Sequence, residues 1–100
     1  MQYYIENGVR RAVAARESNM HEIAAYVYEL RSKPRLILVS LDDLHSPKTS
    51  LSKSDRRYVR ALKGMASVQS AANVPPIDVQ PLGEKGQKAA VPLAQVTLDP

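Results

Sequence analysis

The stretch from Tyr3 to Arg16 constrains the fold of this chain more than any other. A β-prone run, Tyr3-Tyr4-Ile5, is followed by Glu6, by the pair Asn7-Gly8 and then by an alanine- and arginine-rich segment, Val9–Arg16. This order predicts a strand, a glycine turn and a helix. The first N–H groups of such a helix are unpaired, its dipole is positive there, and glycine lets an anion approach the backbone. The stretch therefore predicts a phosphate-binding corner.

An Asn-Gly pair between two apolar stretches is also a hairpin signal. A hairpin would place Ile5 opposite Arg10 and Tyr4 opposite Arg11, which mixes large apolar and charged side chains on both faces. The alanines that follow form helices well and strands poorly. We favour the helix, while a simpler alternative stays open in which Gly8 is only a turn residue and the arginines are solvated.

Composition excludes several classes of protein. The chain has 100 residues, enough for one domain, and its net charge of +4 is compatible with a polyanionic partner. Without cysteine it has no disulfide, thiol nucleophile or cysteine-ligated metal, and His21 and His45 cannot form a zinc site alone. No apolar run approaches a membrane span and no signal-peptide pattern precedes the first strand. We expect a soluble domain without a membrane partner, cut from the C-terminus of a longer protein.

The segment His21–Leu30 is ambiguous. Asn19 and Glu22 have the spacing of a capping box, which favours a helix. The alternation of Ile23, Ala25 and Val27 with polar or amphipathic neighbours favours a strand. Propensity alone leaves both alternatives open.

The next elements are clearer. Arg31–Pro34 predicts a turn, because Pro34 ends whatever precedes it. Arg35–Leu41 is the most apolar run and predicts a buried strand. We interpret residues 44–52 as a loop, in which Ser46-Pro47-Lys48 places a hydroxyl and an ammonium group on a stiff turn.

A second helix is predicted from Ser54 to about Gly64, with Ser52 or Ser54 as its cap and Asp55 in its first turn. Its apolar stripe consists of Tyr58, Val59, Leu62, Met65 and Ala66. Its opposite face, the basic stripe, consists of Lys53, Arg56, Arg57, Arg60 and Lys63. Such a stripe is a candidate surface for the phosphate backbone of nucleic acid. An ordinary solvated face is the alternative.

The last third of the chain predicts two more strands. We interpret Ser67–Asn73 as a frayed end or loop, Ile77–Leu82 as a short strand, and Ala90–Leu98 as a last strand that Pro92 places near an edge. Residues 1–100 thus predict one small α+β domain with two main helices on a mixed sheet of about four to five strands. The predicted core consists of Ile5, Val9, Val13, Ile23, Val27, Ile37, Val39, Leu62, Ile77 and Val79.

The predicted corner has a defined set of phosphate ligands. Backbone groups around Gly8, the guanidinium group of Arg10 or Arg11, and two groups of the Pro47 turn should converge on one phosphate. Besides the arginines, the phosphate-binding residues are Asn7, Gly8, Val9, Ser46 and Lys48. The alternative is that one arginine instead pairs with Glu6 or Asp43.

The run from Ile5 to Arg16, followed by Met20-His21-Glu22-Ile23-Ala24-Ala25-Tyr26-Val27, resembles the ParB/sulfiredoxin superfamily. The superfamily has an apolar strand, a G-x-x-R motif in which two residues separate a glycine from an arginine, a helix of small residues, and a strand near "E-I-P-A-Y-V". The resemblance implies that His21–Leu30 is a strand hairpinned to Arg35–Leu41. The family's proline is Ala24 here, and its loop glycine is Asn19.

A second family box, an N-P-R-like loop, a helix and a "P-I-x-V" strand, is similar to Ser46-Pro47-Lys48, the helix from Ser54, and Pro76–Leu82. Here this box follows the glycine box, whereas the family has it before. The order is similar to a circular permutation, which a compact domain with adjacent termini tolerates. The arrangement resembles ParB-like domains at the C-termini of bacterial polymorphic toxins.

The resemblance implies nucleotide or phosphate binding at the G-x-x-R corner. Superfamily members include nucleases, nucleotide hydrolases, kinases, DNA-partition switches and reductases of oxidised peroxiredoxins. Reduction of peroxiredoxins is excluded, because Val9 stands where the sulfiredoxin cysteine falls. We do not expect a DNA-partition function, because no helix-turn-helix segment follows.

The resemblance implies a toxin effector domain that cleaves nucleic acid, DNA rather than RNA, with a cognate immunity protein as a further partner. Glu6 would be the general base or a Mg²⁺ ligand, and Arg10 or Arg11 would stabilise the developing charge. Such a domain would be delivered within a larger effector to the cytoplasm of a target cell. A nucleotide hydrolase or kinase using ATP or CTP, and a non-catalytic module that binds DNA or nucleotide, are the alternatives. The sequence leaves the cofactor, Mg²⁺ or ATP/CTP, and the oligomeric state open.

Overall fold

A computed structural model describes residues 1–66 and 74–98 of the chain. The loop expected at Ser67–Asn73 lies outside the described residues, as do the side chains of Met65 and Ala66. The strands are β1 (Tyr3–Asn7), β2 (Glu22–Val27), β3 (Arg35–Ser40), β4 (Leu44–Ser46), β5 (Ile77–Pro81) and β6 (Val91–Pro92). The helices are α1 (Val9–Glu17) and α2 (Lys53–Ala66), and single 3₁₀ turns cover Leu41–Asp43 and Leu93–Gln95.

The six strands form one mixed sheet in the order β3-β2-β5-β1-β4-β6. β5 lies near the centre, antiparallel to β1 and parallel to β2, while β4 runs parallel to β1. The predicted α+β class with two helices and a mixed sheet is confirmed. The described sheet has six strands because two short ones, β4 and β6, extend it beyond β1.

Helix α1 follows β1 directly, so the hairpin alternative is wrong for this stretch. Gly8 caps the helix with φ 113°, a conformation that suits glycine. A Cβ atom at Gly8 would lie 2.5 Å from Cγ2 of Ile77, so the site also requires a residue without a side chain. Ala12, Ala14 and Ala15 are fully buried, and α1 packs against α2 as well as against β2 and β5. Small side chains allow this close approach on several sides.

The ambiguous segment forms strand β2, and β2 pairs antiparallel with β3 from Glu22–Ser40 to Val27–Arg35. This agrees with the hairpin that the family resemblance implied. The prediction that Arg35–Leu41 is a buried strand is wrong in its burial: three of the seven residues are exposed, and only Val39 and Leu41 are buried. β3 is an edge strand, and the side chains of Leu36 and Leu38 are 55% and 57% exposed.

Two further expectations are corrected between residues 44 and 98. The expected loop at 44–52 begins with strand β4, whose Leu44 is fully buried in the core. The expected strand Ala90–Leu98 is reduced to β6, after which Leu93 and Val96 turn into the core. Pro92 does lie at a sheet edge, as predicted.

Most of the predicted core is confirmed. Ile37 and Leu62 are only partly buried against the core, and the other eight predicted residues are buried. Among the described residues, no helix is long and apolar enough to cross a membrane.

Candidate functional site

A cleft of about 420 Å³ lies where the end of β1, the start of α1, the turn after β4 and the start of α2 meet. We call it the Gly8 cleft. It is lined by Glu6, Asn7, Gly8, Val9, Arg10, Arg11, Pro47, Lys48, Asp55 and Tyr58. The predicted glycine corner and the predicted Pro47 turn, which are about forty residues apart in the sequence, therefore border one space.

The N-terminus of α1 opens into this cleft. Gly8 is the cap residue, and no side chain caps the N–H groups of the first turn. The carbonyl oxygen of Gly8 accepts a hydrogen bond from Ala12 N–H at 2.9 Å, so the helix begins directly after it. Unpaired N–H groups and the positive end of the helix dipole favour an anion at this position.

Arg10 projects from the first turn of α1 over the cleft. Its guanidinium carbon lies 4.0 Å from the centroid of the Tyr58 ring, and its Nε lies 3.8 Å from Oδ1 of Asp55. The ring holds the guanidinium group by a cation–π contact, and the Arg10 side chain remains 46% exposed. The sequence left open the alternative that one arginine pairs with Glu6 or Asp43. Arg10 pairs with neither of them and instead lies beside Asp55.

Asp55 is one of the two acidic residues that line the cleft, the other being Glu6. Its Oδ2 accepts from Ser52 N–H at 3.3 Å, and its own N–H donates to Ser52 Oγ at 3.2 Å, which forms a reciprocal cap on α2. Nζ of Lys48 lies 3.6 Å from Oδ2. Burial acts to raise the pKa of Asp55, but the hydrogen bonds to Ser52 and the charges of Lys48 and Arg10 outweigh it and lower the pKa. The carboxylate is therefore the anion that two cations already share.

Ser46 acts inside the Pro47 turn. Its fully buried hydroxyl accepts from Lys48 N–H at 2.9 Å and donates to the Lys48 carbonyl at 2.8 Å. Both of its bonding functions are used within the turn, and Ser46 does not line the cleft. The phosphate contact of Ser46 stays a prediction, while in the structure its hydroxyl fixes the backbone of Lys48, which lines the cleft.

Arg11 lines the cleft but is bound elsewhere. Its Nη1 donates to the carbonyl oxygen of Pro76 and lies 3.5 Å from that of Pro75. These bonds connect α1 to the segment that leads into β5. Of the two arginines predicted as phosphate ligands, Arg11 is thus bound to backbone carbonyls, whereas Arg10 lies beside Asp55 and Tyr58.

Glu6 occupies an irregular position in β1. The pairing with β5 shifts between Ile5 and Asn7, so Glu6 is the extra residue of a β-bulge. A bulge redirects side chains at a strand end, and here the exposed Glu6 lines the cleft. The part of the chain that the structure describes contains no cluster of three or more histidine or acidic side chains that could hold a metal ion.

The basic stripe lies on another side of α2. Lys53, Arg56, Arg57 and Arg60 line a separate groove of about 140 Å³, and Lys63 lines a third one with Arg56, Arg60 and Glu17. None of the five lines the Gly8 cleft. Because successive residues turn by about 100°, Asp55 and Tyr58 face the cleft while the stripe points away from it. The expectation that the stripe and Gly8 share one surface is therefore wrong.

Asp55 and Tyr58 are the site residues that the sequence did not indicate. The Ser52–Asp55 spacing predicts a helix cap, and Tyr58 belongs to the predicted apolar stripe, but neither pattern points to the glycine corner. No family model matches the chain, and no curated protein or solved structure gives a significant match.

Proposed function

We propose that the Gly8 cleft binds the phosphate groups of a nucleotide. The observation that carries this proposal is that Arg10 and Lys48, from different elements, reach the same carboxylate beside an uncapped helix N-terminus. Their distances to Asp55, 3.8 Å and 3.6 Å, are longer than those of a tight charge-assisted hydrogen bond. A phosphate dianion offers more charge and more acceptor atoms than this carboxylate.

The size and lining of the cleft support a mononucleotide. Its volume of about 420 Å³ lies in the range of small-molecule sites, which is about 300–1,000 Å³. The phosphate-facing residues Arg10 and Lys48 lie at the same mouth as the aromatic ring of Tyr58, which is partly exposed. An aromatic ring stacked with a guanidinium group is a surface on which a base can stack.

The reaction that this arrangement supports is hydrolysis or transfer of a phosphoryl group. Glu6 would accept a proton from the attacking water or hydroxyl as its oxygen bonds to the terminal phosphorus. The P–O bond to the remaining nucleotide phosphate would break, and Arg10 and Lys48 would stabilise charge on the phosphoryl and leaving oxygens. Mg²⁺ would be supplied with the nucleotide, because it binds phosphates together with one or two carboxylates. This is the nucleotide-hydrolase or kinase alternative that the family resemblance also implies.

Calorimetric titration with ATP, CTP and inorganic phosphate tests the binding. The wild type should bind at least one nucleotide more tightly than phosphate, and Arg10→Ala and Lys48→Ala should each weaken binding by about tenfold or more, the loss of one charge-assisted contact. Asp55→Asn should tighten binding, because it removes the carboxylate that competes for both cations. Arg57→Ala, on the basic stripe, is the matched control and should bind like the wild type. If the wild type binds none of the three ligands, the proposal fails.

A second candidate function is cleavage of nucleic acid by a toxin effector, which the family resemblance implies. The observation that favours it is the exposed groove of four cations formed by Lys53, Arg56, Arg57 and Arg60. Backbone contacts there would make binding salt-dependent, with a slope near 0.9 per neutralised phosphate on duplex DNA. On this proposal the domain is delivered within a larger effector and is neutralised by an immunity protein.

Incubation with plasmid, total RNA and labelled ATP, with and without Mg²⁺, separates the two candidates. Cleavage of plasmid or RNA that is lost when Arg56, Arg57 and Arg60 are replaced by glutamate would support the nuclease. Hydrolysis of ATP that survives this triple replacement and is lost in Glu6→Gln would support the nucleotide hydrolase. A chain that binds nucleotide and turns over none of these substrates is a binding module.

A further inference from the structure

The two edges of the sheet differ in how they are protected. β6 has two residues and contains Pro92, so it offers little backbone to another strand. β3 has six residues, Arg35–Ser40, and its central four carry no charge, proline or bulge. Within the described part of the chain, β3 has no strand on its outer side. A long apolar edge of this kind pairs readily with another strand.

The free backbone groups of β3 can be assigned. Leu41 N–H donates to the carbonyl of His21 at 3.0 Å, in register with the pairing of β2 and β3. Because bonded pairs alternate along an antiparallel ladder, Ile37 and Val39 bond to β2. The N–H and C=O groups of Leu36 and Leu38 and the N–H group of Ser40 therefore point outward, while the carbonyl of Ser40 begins the 3₁₀ turn Leu41–Asp43.

The side chains next to this edge form an apolar patch. Leu36 and Leu38 lie opposite Tyr26 and Ala24 of β2, and Tyr26, Leu36 and Leu38 are all exposed on one face of the sheet. Neighbouring exposed large apolar residues mark interaction surfaces more often than isolated ones do.

The charges that flank β3 have opposite signs at its two ends. The exposed cations Arg31 and Lys33 precede it, and the exposed Asp42 follows it. Arg35 and Asp43 have partners within the chain, Glu29 at 2.7 Å and Gln2 at 3.2 Å. An antiparallel second copy of the strand would bring the free cations of each chain to the end where Asp42 of the other lies, whereas a parallel copy would align like charges. The edge is thus complementary to itself in the antiparallel direction.

We propose that β3 pairs antiparallel with β3 of a second copy of this chain, on a two-fold axis at Leu38, to form a homodimer with one continuous sheet. With this axis, Leu36 lies opposite Ser40 of the second copy and Ile37 lies opposite its Val39, so each pair shares a face of the sheet. In this arrangement the N–H groups of Leu38 and Ser40 donate to the carbonyls of Leu38 and Leu36 of the second copy. Lys33, before β3 of one chain, then lies at the same end of the interface as Asp42, which follows β3 of the other.

Sedimentation equilibrium of the purified chain from micromolar to millimolar concentration tests the dimer. Leu38→Lys places two ammonium groups together on the axis and should weaken dimerisation by about tenfold or more. Leu82→Lys is the matched control, because Leu82 is exposed and lies outside β3, and it should dimerise like the wild type. A monomeric wild type, or a dimer that Leu38→Lys does not weaken, overturns the proposal.

A charge-reversal experiment tests the antiparallel geometry independently of Leu38. Lys33→Glu and Asp42→Lys each place like charges at both ends of a homodimer, so each variant alone should dimerise more weakly than the wild type. Mixed in equal amounts, they form a heterodimer in which both contacts are attractive again, and association should return. Far-UV circular dichroism checks that each variant is folded. If mixing restores no association although both variants are folded, the antiparallel arrangement is wrong.

Discussion

At the scale of single residues, the arginines of α1 show how one residue type serves different purposes. Arg10 faces the cleft and contacts Asp55 and Tyr58. Arg11 bonds to the carbonyl of Pro76, and Arg16 bonds to the carbonyls of Leu93 and Val96. The two that bind backbone carbonyls are structural, so only Arg10 is suited to exchange its partner for a ligand.

Gly8→Ala should destabilise the protein by about 2–4 kcal/mol, because it combines a left-handed backbone with overpacking against Ile77. The new Cβ would lie 2.5 Å from Cγ2 and 2.8 Å from Cβ of Ile77. Urea unfolding measures the change. Gly86→Ala is the matched control: Gly86 also has a positive φ, +91°, but nothing lies within 4 Å of its added Cβ. Equal losses for the two variants would show that the contact with Ile77 is unimportant.

The carboxyl group of Asp55 should make the free energy of unfolding depend on pH in the acidic range. Its pKa is lowered in the folded protein, since the bonds to Ser52 and the charges of Lys48 and Arg10 outweigh the opposing effect of burial. A carboxylate of this kind stabilises the fold above its unfolded pKa, and the contribution is lost as pH falls through the folded pKa. The difference in free energy of unfolding between wild type and Asp55→Asn should therefore be full at neutral pH and shrink below the ordinary value of 3.8.

Urea unfolding of both proteins across this acid range measures that difference. Asp42→Asn is the control, because Asp42 is exposed and forms no ion pair in the described part of the chain. A wild-type advantage that persists unchanged in acid would contradict the role given to the Asp55 carboxylate.

At the scale of elements, the C-terminal segment depends on Arg16. Nη1 of Arg16 donates to the carbonyls of Leu93 at 2.6 Å and Val96 at 2.8 Å. Arg16→Met keeps the apolar stem and removes these bonds, so it should cost about 1.5–3 kcal/mol. Hydrogen exchange should accelerate at Val96 and Thr97, and at Leu51, whose N–H donates to Thr97.

Amides of the β2–β3 hairpin that exchange by local opening of the hairpin should keep their rates in Arg16→Met, because the bonds of Arg16 lie outside the hairpin. Arg57→Met, which changes an exposed arginine of α2, is the control for removing a positive charge. If the whole chain exchanges faster in Arg16→Met, the segment is not a separate unit of opening.

At the scale of the whole molecule, residues 93–96 belong to the same core as the sheet. Leu93 is 1% exposed, although its neighbours in sequence are exposed. Leu93→Ala should therefore destabilise the entire fold by about 2–5 kcal/mol, with circular dichroism and tyrosine fluorescence reporting one common transition. Leu36→Ala, at a residue that is 55% exposed, should cost much less. Separate transitions for the two probes would show that the segment folds independently.

The sequence determined the features that depend on local preferences. The strand, glycine and helix at Tyr3–Arg16 follow from β-propensity, turn chemistry and alanine content, each of which acts over a few residues. The extent of α2 and most of the core followed from the same patterns. The location of the cleft was predictable too, since a glycine between a strand and a helix leaves N–H groups free at one place.

Only the tertiary structure decided which partners those residues have. The apolar run at β3 predicts a strand, but whether it lies at the centre or the edge depends on the order of all six strands. The position of the basic stripe depends on how α2 rotates against α1, and the roles of Arg10 and Arg11 depend on Asp55 and Pro76, which are distant in sequence. These choices are made by long-range packing, because local patterns specify the type of an element and not its neighbours.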